Sequence, residues 1–210
     1  MKITYVGHSC FLYENEDGGK IVFDPYKPGS VPGYADMDIA ADEIVVSHGH
    51  ADHSGDAYVD KAEPPYDGEF EIGVLKTYHD SKMGLIRGRN NISIVNIDGL
   101  RVVHMGDIGC ELRQAELDIL MHCDILMIPV GGYFTIGPRQ AYEMVSKIDP
   151  KVVIPMHYRG EGFGYKEIGG KEDFLDLFAD AARPVIRAGS EYADPFDRKC
   201  VLSMEPLRIL

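Results

Sequence analysis

Residues 47 to 53 read Ser-His-Gly-His-Ala-Asp-His, an H-x-H-x-D-H string directly after the apolar, β-branched run Glu43-Ile44-Val45-Val46. Three imidazoles and a carboxylate so close together cannot share an apolar core, because each needs its own hydrogen-bond partner. Neutral imidazole is the commonest metal ligand, and the string reads as a metal site rather than as a solvated His-rich turn. One loop cannot build two metal sites, so further donors must come from elsewhere. They stand at three other strand-like exits: Thr77-Tyr78-His79-Asp80, His104-Met105-Gly106-Asp107 and Ile154-Pro155-Met156-His157-Tyr158. Donors placed at such breaks can converge on one edge of a sheet. Oxygen and imidazole donors suit zinc, manganese or iron, and no cysteine falls within the motif to specify a thiolate-rich structural zinc.

The elements that must position these side chains are mostly strands. Short β-branched or alternating runs recur at 2–6, 10–14, 20–23, 43–47, 70–78, 91–97, 100–105, 124–129, 151–155 and 199–203. Helical spacing of apolar residues comes later, at Arg113 to Met121, Pro138 to Ile148 and Glu172 to Ala182, with Pro138 at a favoured first-turn position. Gly and Pro clusters at 25–33, 64–68 and 160–170 mark loops, and none has the low complexity of a linker. The 210 residues therefore predict a single domain, 1–210, with strands first and then β and α interleaved.

Composition excludes some functions. With 34 Asp and Glu against 21 Lys and Arg, the formal net charge of −13 repels nucleic acid and anionic membranes. No stretch approaches the ~18 uninterrupted apolar residues of a spanning helix. The start, Met1 to His8, alternates like a strand and lacks the apolar core and cleavage site of a secretory signal, so the expected location is the cytoplasm. Cys10, Cys110, Cys123 and Cys200 are scattered and read as free thiols.

The order H-x-H-x-D-H, then His, then Gly-Asp, then His resembles the metallo-β-lactamase superfamily over essentially the whole chain. Gly7-His8-Ser9, Phe23-Asp24-Pro25, Pro129-Val130-Gly131-Gly132 and Ile154-Pro155-Met156-His157-Tyr158 are similar to its small metal-dependent hydrolases related to ascorbate-6-phosphate lactonases. The resemblance implies an α/β (α+β) fold: an αββα sandwich of two mixed sheets with helices on the outer faces and the site at one edge. It implies that His48, His50 and His79 hold a first divalent ion, that Asp52, His53 and His157 hold a second, and that Asp107 bridges them. Zinc is the expected metal, with manganese or iron as alternatives. Asp52 and Asp107 are then the catalytic carboxylates. A hydroxide shared by the two metals would attack an ester, lactone or phosphoester, on a small molecule expected to be anionic because the loaded site is locally positive.

Other residues carry weaker signals. His8 divides between supporting the site and plain structure, and Asp24, before Pro25, between supporting the metal loop and forming a turn. Arg87 and Tyr158 are further candidates for support or substrate contact. The amides of Gly131 to Gly137 are weighed as an oxyanion cradle against a plain loop, the favoured reading. Asp80 is weighed as a partner of His79, although adjacent residues on a strand face opposite ways. Cys110 is placed near the rim. His104, three positions before Asp107, reads as structural, and His122 as solvated. Two alternatives remain: a mononuclear iron oxygenase of the persulfide dioxygenase type, and a metal-stabilised binding protein without catalysis. The further donors His53, His79 and His157 favour two metals over one. The sequence leaves a homo-oligomer open.

Overall fold

The structure, a computed structural model, describes residues 1–179, 183–207 and 209–210. The early alternating runs form β1 (Lys2–Gly7), β2 (Cys10–Glu14) and β3 (Lys20–Phe23). The short pairs β4 (Ala40–Ala41) and β6 (Asp60–Lys61) flank β5 (Glu43–Val45) in the chain. Then come β7 (Ile72–Tyr78), β8 (Arg89–Ile97), β9 (Leu100–His104), β10 (Ile125–Pro129), β11 (Val152–Met156), β12 (Val185–Arg187), β13 (Glu191–Tyr192) and β14 (Cys200–Ser203). The helices are α1 (Gln114–Leu120), α2 (Pro138–Ile148) and α3 (Glu172–Leu175), the last tightening into a 3-10 turn over Asp176–Phe178.

One sheet runs β13-β1-β2-β3-β5, with only β3 and β5 parallel. The other runs β12-β14-β11-β10-β9-β8-β7, parallel from β12 to β9 and antiparallel from there to β7. The sheets pack face to face. The Tyr13 hydroxyl of β2 lies 3.1 Å from the Met127 sulfur of β10, and the Phe23 ring of β3 stacks on His104 of β9 with centroids 5.4 Å apart. Strands β10 and β11 are buried at every position, as parallel strands covered on both faces must be, which explains their unbroken apolar text.

Helices α1 and α2 make the crossovers from β9 to β10 and from β10 to β11, and α2 touches both α1 and α3. On α2 the buried residues Ala141, Met144, Val145 and Ile148 fall at i, i+3, i+4 and i+7. Burying Met144, Val145 and Ile148 contributes roughly 1.5–3 kcal/mol each. The αββα class expected of the chain is the one observed.

All ten strand runs and the Pro138 helix fall where the sequence puts them, within two residues at each end. Strands β4, β6, β12 and β13 escape detection because two or three residues cannot display an alternation. The helix expected from Glu172 to Ala182 is shorter: it leaves α geometry after Leu175, and residues 180–182 lie outside the described residues. The 3-10 tightening sets Phe178 against both Phe174, at 5.0 Å, and Tyr142 of α2, at 4.9 Å. Among the described residues no helix is long and apolar enough to cross a membrane.

The pairing directions carry the functional consequence. β1, β3 and β5 point one way in the first sheet, and β7, β9 and β11 share a direction in the second. The six strands end just before His8, Asp24, Ser47-His48, His79, Gly106-Asp107 and His157. The chain leaves β9 through Gly106, at φ +54°, where a Cβ would stand 2.3 Å from Asn90 Oδ1 and 2.6 Å from Ser47 Cβ. Gly106→Ala is expected to lower stability by roughly 2 kcal/mol through this overpacking, read from the urea midpoint; an unchanged midpoint would show that the turn into Asp107 is free to shift.

Candidate metal centre

Three of the six strand exits use left-handed backbone at residues other than glycine: His8 (φ 55°), Asp24 (φ 44°) and His157 (φ 52°). Each costs about 1–3 kcal/mol and persists only where the surroundings over-determine it. Here the His157 N–H donates to the His8 carbonyl at 2.9 Å, tying the end of β11 to the end of β1 across the two sheets. In the His-rich loop, the N–H groups of His53 and Ser54 both donate to the His50 carbonyl at 3.0 Å, a tight turn that brings His53 back beneath the strand ends. The Asp107 N–H donates to Asn90 Oδ1 (2.9 Å), and Asn90 Nδ2 donates to Met105 O (2.9 Å) and Thr77 Oγ1 (3.0 Å). Asn90 thus locks the exits of β7 and β9 together.

The result is a set of histidines around one buried carboxylate. Asp107 Oδ2 lies 3.2 Å from the Nε2 atoms of His79 and His157 and 4.0 Å from that of His48, while Oδ1 lies 3.2 Å from His53 Nε2. Donor atoms of His48, His50 and His79 lie within 4.8 Å of one another, and so do those of His8, Asp52, His53 and His157. The seven residues expected as ligands lie together, and a third set of donor atoms, from His48, His53 and Asp107, also falls within 4.8 Å and joins the first group to the second, beside which His8 stands.

Several features fit metal ions. Donors ~2.1 Å from one ion at the tetrahedral angle lie roughly 3.4 Å apart. Separations here include 3.0 Å, His48 Nε2 to His50 Nδ1, 3.6 Å, His53 Nε2 to Asp52 Oδ2, and 4.0 Å, His48 Nε2 to Asp107 Oδ2. His53 Nε2, Asp107 Oδ1 and both ring nitrogens of His157 are buried with no hydrogen-bond partner, which is costly unless something else binds them.

Asp24 fixes the tautomers. Its Oδ2 accepts from His53 Nδ1 (2.7 Å) and from the Ser47 hydroxyl (2.6 Å), and its Oδ1 accepts from the Ser47 N–H (2.6 Å). The one hydroxyl proton of Ser47 is committed to Asp24, so Ser47 Oγ accepts from His48 Nδ1 at 2.9 Å. Both His48 and His53 therefore carry their proton on Nδ1 and turn the Nε2 lone pair to the cluster, the form a metal takes. Of the two sequence readings of Asp24, supporting the metal loop matches these bonds.

The ionisation states agree. Burial pushes His8 down to about 4 and His48 down to about 3, so both are neutral near pH 7. His53 is the exception: burial alone would lower it, but the Asp107, Asp24 and Asp52 carboxylates push it well above the usual histidine value. Burial likewise would raise Asp107, yet His157 and His53 hold its carboxyl well below the carboxylate range. Without a cation, His53 takes a proton to balance the carboxylates.

A cavity of about 340 Å³ opens over the cluster, lined by His50, Asp52, His79, Arg87, Asp107, Phe134, His157 and Tyr165. Arg87 is thus at the site, as the sequence suggests. Tyr158 is not: it is buried beside the Tyr5 ring, does not line the cavity, and its hydroxyl donates to Met204 O. The reason is the left-handed turn at His157, which aims that imidazole into the cluster and sends the next side chain into the core. His8 sits with Nε2 3.2 Å from Asp52 Oδ2. His104 is structural, donating from Nε2 to Ser9 O and accepting the Gly106 N–H at Nδ1, which leaves no free nitrogen.

Asp80 does not partner His79; it accepts the backbone N–H groups of Lys82, Gly84, Ile86 and Arg87. The amides of Gly131, Gly132 and Phe134 are engaged by backbone carbonyls, so that stretch is a loop and no cradle. Cys110 is half-buried and lines a neighbouring pocket with Leu112, Ile136, Gln140 and Glu143, outside the cavity over the cluster. Ser47, Asn90, Phe134 and Tyr165 carry no signal in the sequence, because their roles arise only from long-range contacts.

Comparison with known proteins agrees with this geometry. A sequence profile of the beta-lactamase superfamily domain matches residues 2–157. A UPF0173 metal-dependent hydrolase of Carboxydothermus hydrogenoformans is 31% identical over 192 residues, which cover 75% of this chain and 84% of the relative. Another, from Pyrococcus furiosus, is 31% identical over 222 residues, covering 89% of this chain and 96% of its own. The crystal structure of a Thermotoga maritima protein, assigned to the Zn-dependent hydrolases of the metallo-β-lactamase superfamily, superposes with a TM-score of 0.74 at 30% identity, over 97% of this chain and 98% of that one.

Because Asp24 sets the ring orientation of two of the seven residues without belonging to either group, Asp24→Asn is expected to weaken metal binding by about 10–100-fold. Competition titration against a chromogenic chelator measures this, and wild-type affinity in the variant would remove Asp24 from the site.

Proposed function

Because the chain belongs to the beta-lactamase superfamily and is a metal-dependent hydrolase, we propose that it is a dinuclear one that cleaves an ester, lactone or phosphoester on a small anionic molecule. The observation that carries this reading is Asp107, a buried carboxylate within 3.2 Å of three imidazole nitrogens drawn from three different strand exits. His48, His50 and His79 would hold one ion and Asp52, His53 and His157 the other, with Asp107 reaching both. Bound there, divalent ions supply Lewis acidity and a water acidic enough to act as a nucleophile near neutral pH. Zinc is the metal the donor set suits best, with manganese or iron as alternatives.

The protein's own groups divide the remaining work. Asp107, with a side chain 2% exposed, is sealed in the centre and holds the two groups in register. Asp52, at 15%, faces the cavity and is the carboxylate placed to orient the nucleophile and relay its proton, with His8 Nε2 3.2 Å from Oδ2 to steady it. Phe134 and Tyr165 narrow access to the cavity and keep water from its wall. Two dications against Asp52 and Asp107 leave the loaded site positive, which supports an anionic substrate although the whole chain is acidic. A cytoplasmic location is part of the same proposal.

Elemental analysis of protein purified without chelator or tag is expected to return close to two metal equivalents per chain, with turnover of aryl esters, lactones or phosphoesters that chelator abolishes. A single iron would overturn the dinuclear hydrolase in favour of oxygen chemistry. Asp107→Ala is expected to reduce turnover at least 100-fold and to lose metal while keeping a cooperative melt, and full activity in that variant would refute the central role of Asp107.

A further inference from the structure

We infer that Arg87, Phe134 and Tyr165 form a second recognition point beside the cluster, which takes a carboxylate or similar anion joined through a flat apolar group to the bond being cleaved. The inference rests on the hydrolase reading and deepens it, from an anionic molecule to one with a charge held away from the scissile bond.

The first support is the state of Arg87. Its guanidinium is half-buried, lines the cavity with the cluster, and lies over the Phe134 ring at 5.6 Å. Among the described residues its side chain has no carboxylate within 4.0 Å. Arg113, Arg183 and Arg187 each have one on Glu116, Asp149 and Glu172, and what separates Arg87 from the other described arginines without one is that it lines the cavity. In a chain with 34 acidic residues and 21 basic ones, a partly desolvated guanidinium left without an anion is a binding group waiting for one.

The second is how the loop is held. The Asp80 carboxylate accepts four backbone N–H groups across residues 82 to 87, at 2.7 Å from Lys82, 3.1 Å from Gly84, 3.0 Å from Ile86 and 2.8 Å from Arg87 itself. A loop pinned this way presents Arg87 in one orientation and loses little entropy when a ligand binds.

The third is the wall between Arg87 and the histidines. Phe134 and Tyr165 meet at 5.8 Å and 73°, and the Tyr165 hydroxyl is committed to Ser30 O at 2.7 Å, so the cavity receives its ring. Aromatic surface of this kind takes a flat apolar group. At about 340 Å³ the cavity is of a size for a molecule with one ring.

The test is a binding cycle on the metal-loaded protein by calorimetry, with phenylphosphonate and 4-carboxyphenylphosphonate as probes. The phosphonate seats at the cluster in both, and only the second offers a distal anion to Arg87. In the wild type the added carboxylate is expected to tighten binding at least tenfold. Arg87→Gln should weaken 4-carboxyphenylphosphonate at least tenfold more than phenylphosphonate and so erase that gain, Arg87→Lys should recover part of it, and Phe134→Ala should weaken both probes. No gain in the wild type, or a gain that survives Arg87→Gln, overturns the subsite, as does failure of both probes to bind at millimolar concentration. Failure of the hydrolase reading is separate, since it would show in metal content and turnover and not in the ratio between probes.

Discussion

Three carboxylates withdrawn from water, Asp24, Asp52 and Asp107, set the terms for the rest of the molecule. Unpaired buried anions are costly, and each must be met by donors or by cations. Asp24 is met entirely by protein, through Ser47 and His53. Asp107 is not: of its side-chain oxygens, Oδ1 has no hydrogen-bond donor, and the imidazole nitrogens of His53, His79 and His157 crowd the carboxylate at 3.2 Å. Without a cation the site answers by raising His53, so a proton stands where positive charge is needed. On the proposed reading a bound metal would replace that proton, and the carboxylate surplus that is costly without a cation would favour one.

Meeting that electrostatic demand requires side chains from six strand ends to arrive at one place. The sandwich makes this possible because three strands in one sheet, β1, β3 and β5, and three in the other, β7, β9 and β11, run so that their carboxyl ends share an edge. The exits at His8, Asp24 and His157 then depart from extended geometry into left-handed backbone. Strain of this kind is tolerated beside a core as continuous as the one joining Tyr13, Phe23, His104 and Met127. His104 shows the division of labour: it has the chemistry of a ligand, but both its nitrogens serve the packing of the two sheets.

What was legible in the sequence follows from the range of the interaction that reveals it. The H-x-H-x-D-H loop, the strand runs and the Pro138 helix are local patterns, and they fall where the pattern puts them. His79, Asp107 and His157 were found because each sits at a strand exit. Ser47 and Asn90 were not, since a serine before a histidine and an asparagine near the start of a strand mean nothing until Asp24 and Asp107 are seen beside them. Asp80 was weighed for the wrong partner for the same reason: its contacts are four backbone amides of a loop that has no periodicity to read. Tyr158 was misplaced because nothing local shows that the chain turns left-handed at His157.

The same separation of ranges bears on how such a protein acquires a substrate. The ligand residues are tied to strand ends and to each other, so any change there disturbs the electrostatic balance and the packing together. The loop from Asp80 to Gly88 is tied chiefly through one carboxylate and backbone amides, whose bonds do not depend on the side chains at 82 to 87. Apart from Gly84, where φ is +80° and a Cβ would stand 2.8 Å from Gly88 O, those positions can therefore vary without breaking these bonds. Arg87 reaches the cavity from this replaceable segment, while Phe134 and Tyr165 come from other loops that touch no ligand carboxylate directly. Reaction and specificity are thus carried by different parts of the chain: buried charge fixes the first, and side chains on a pinned but tolerant backbone set the second.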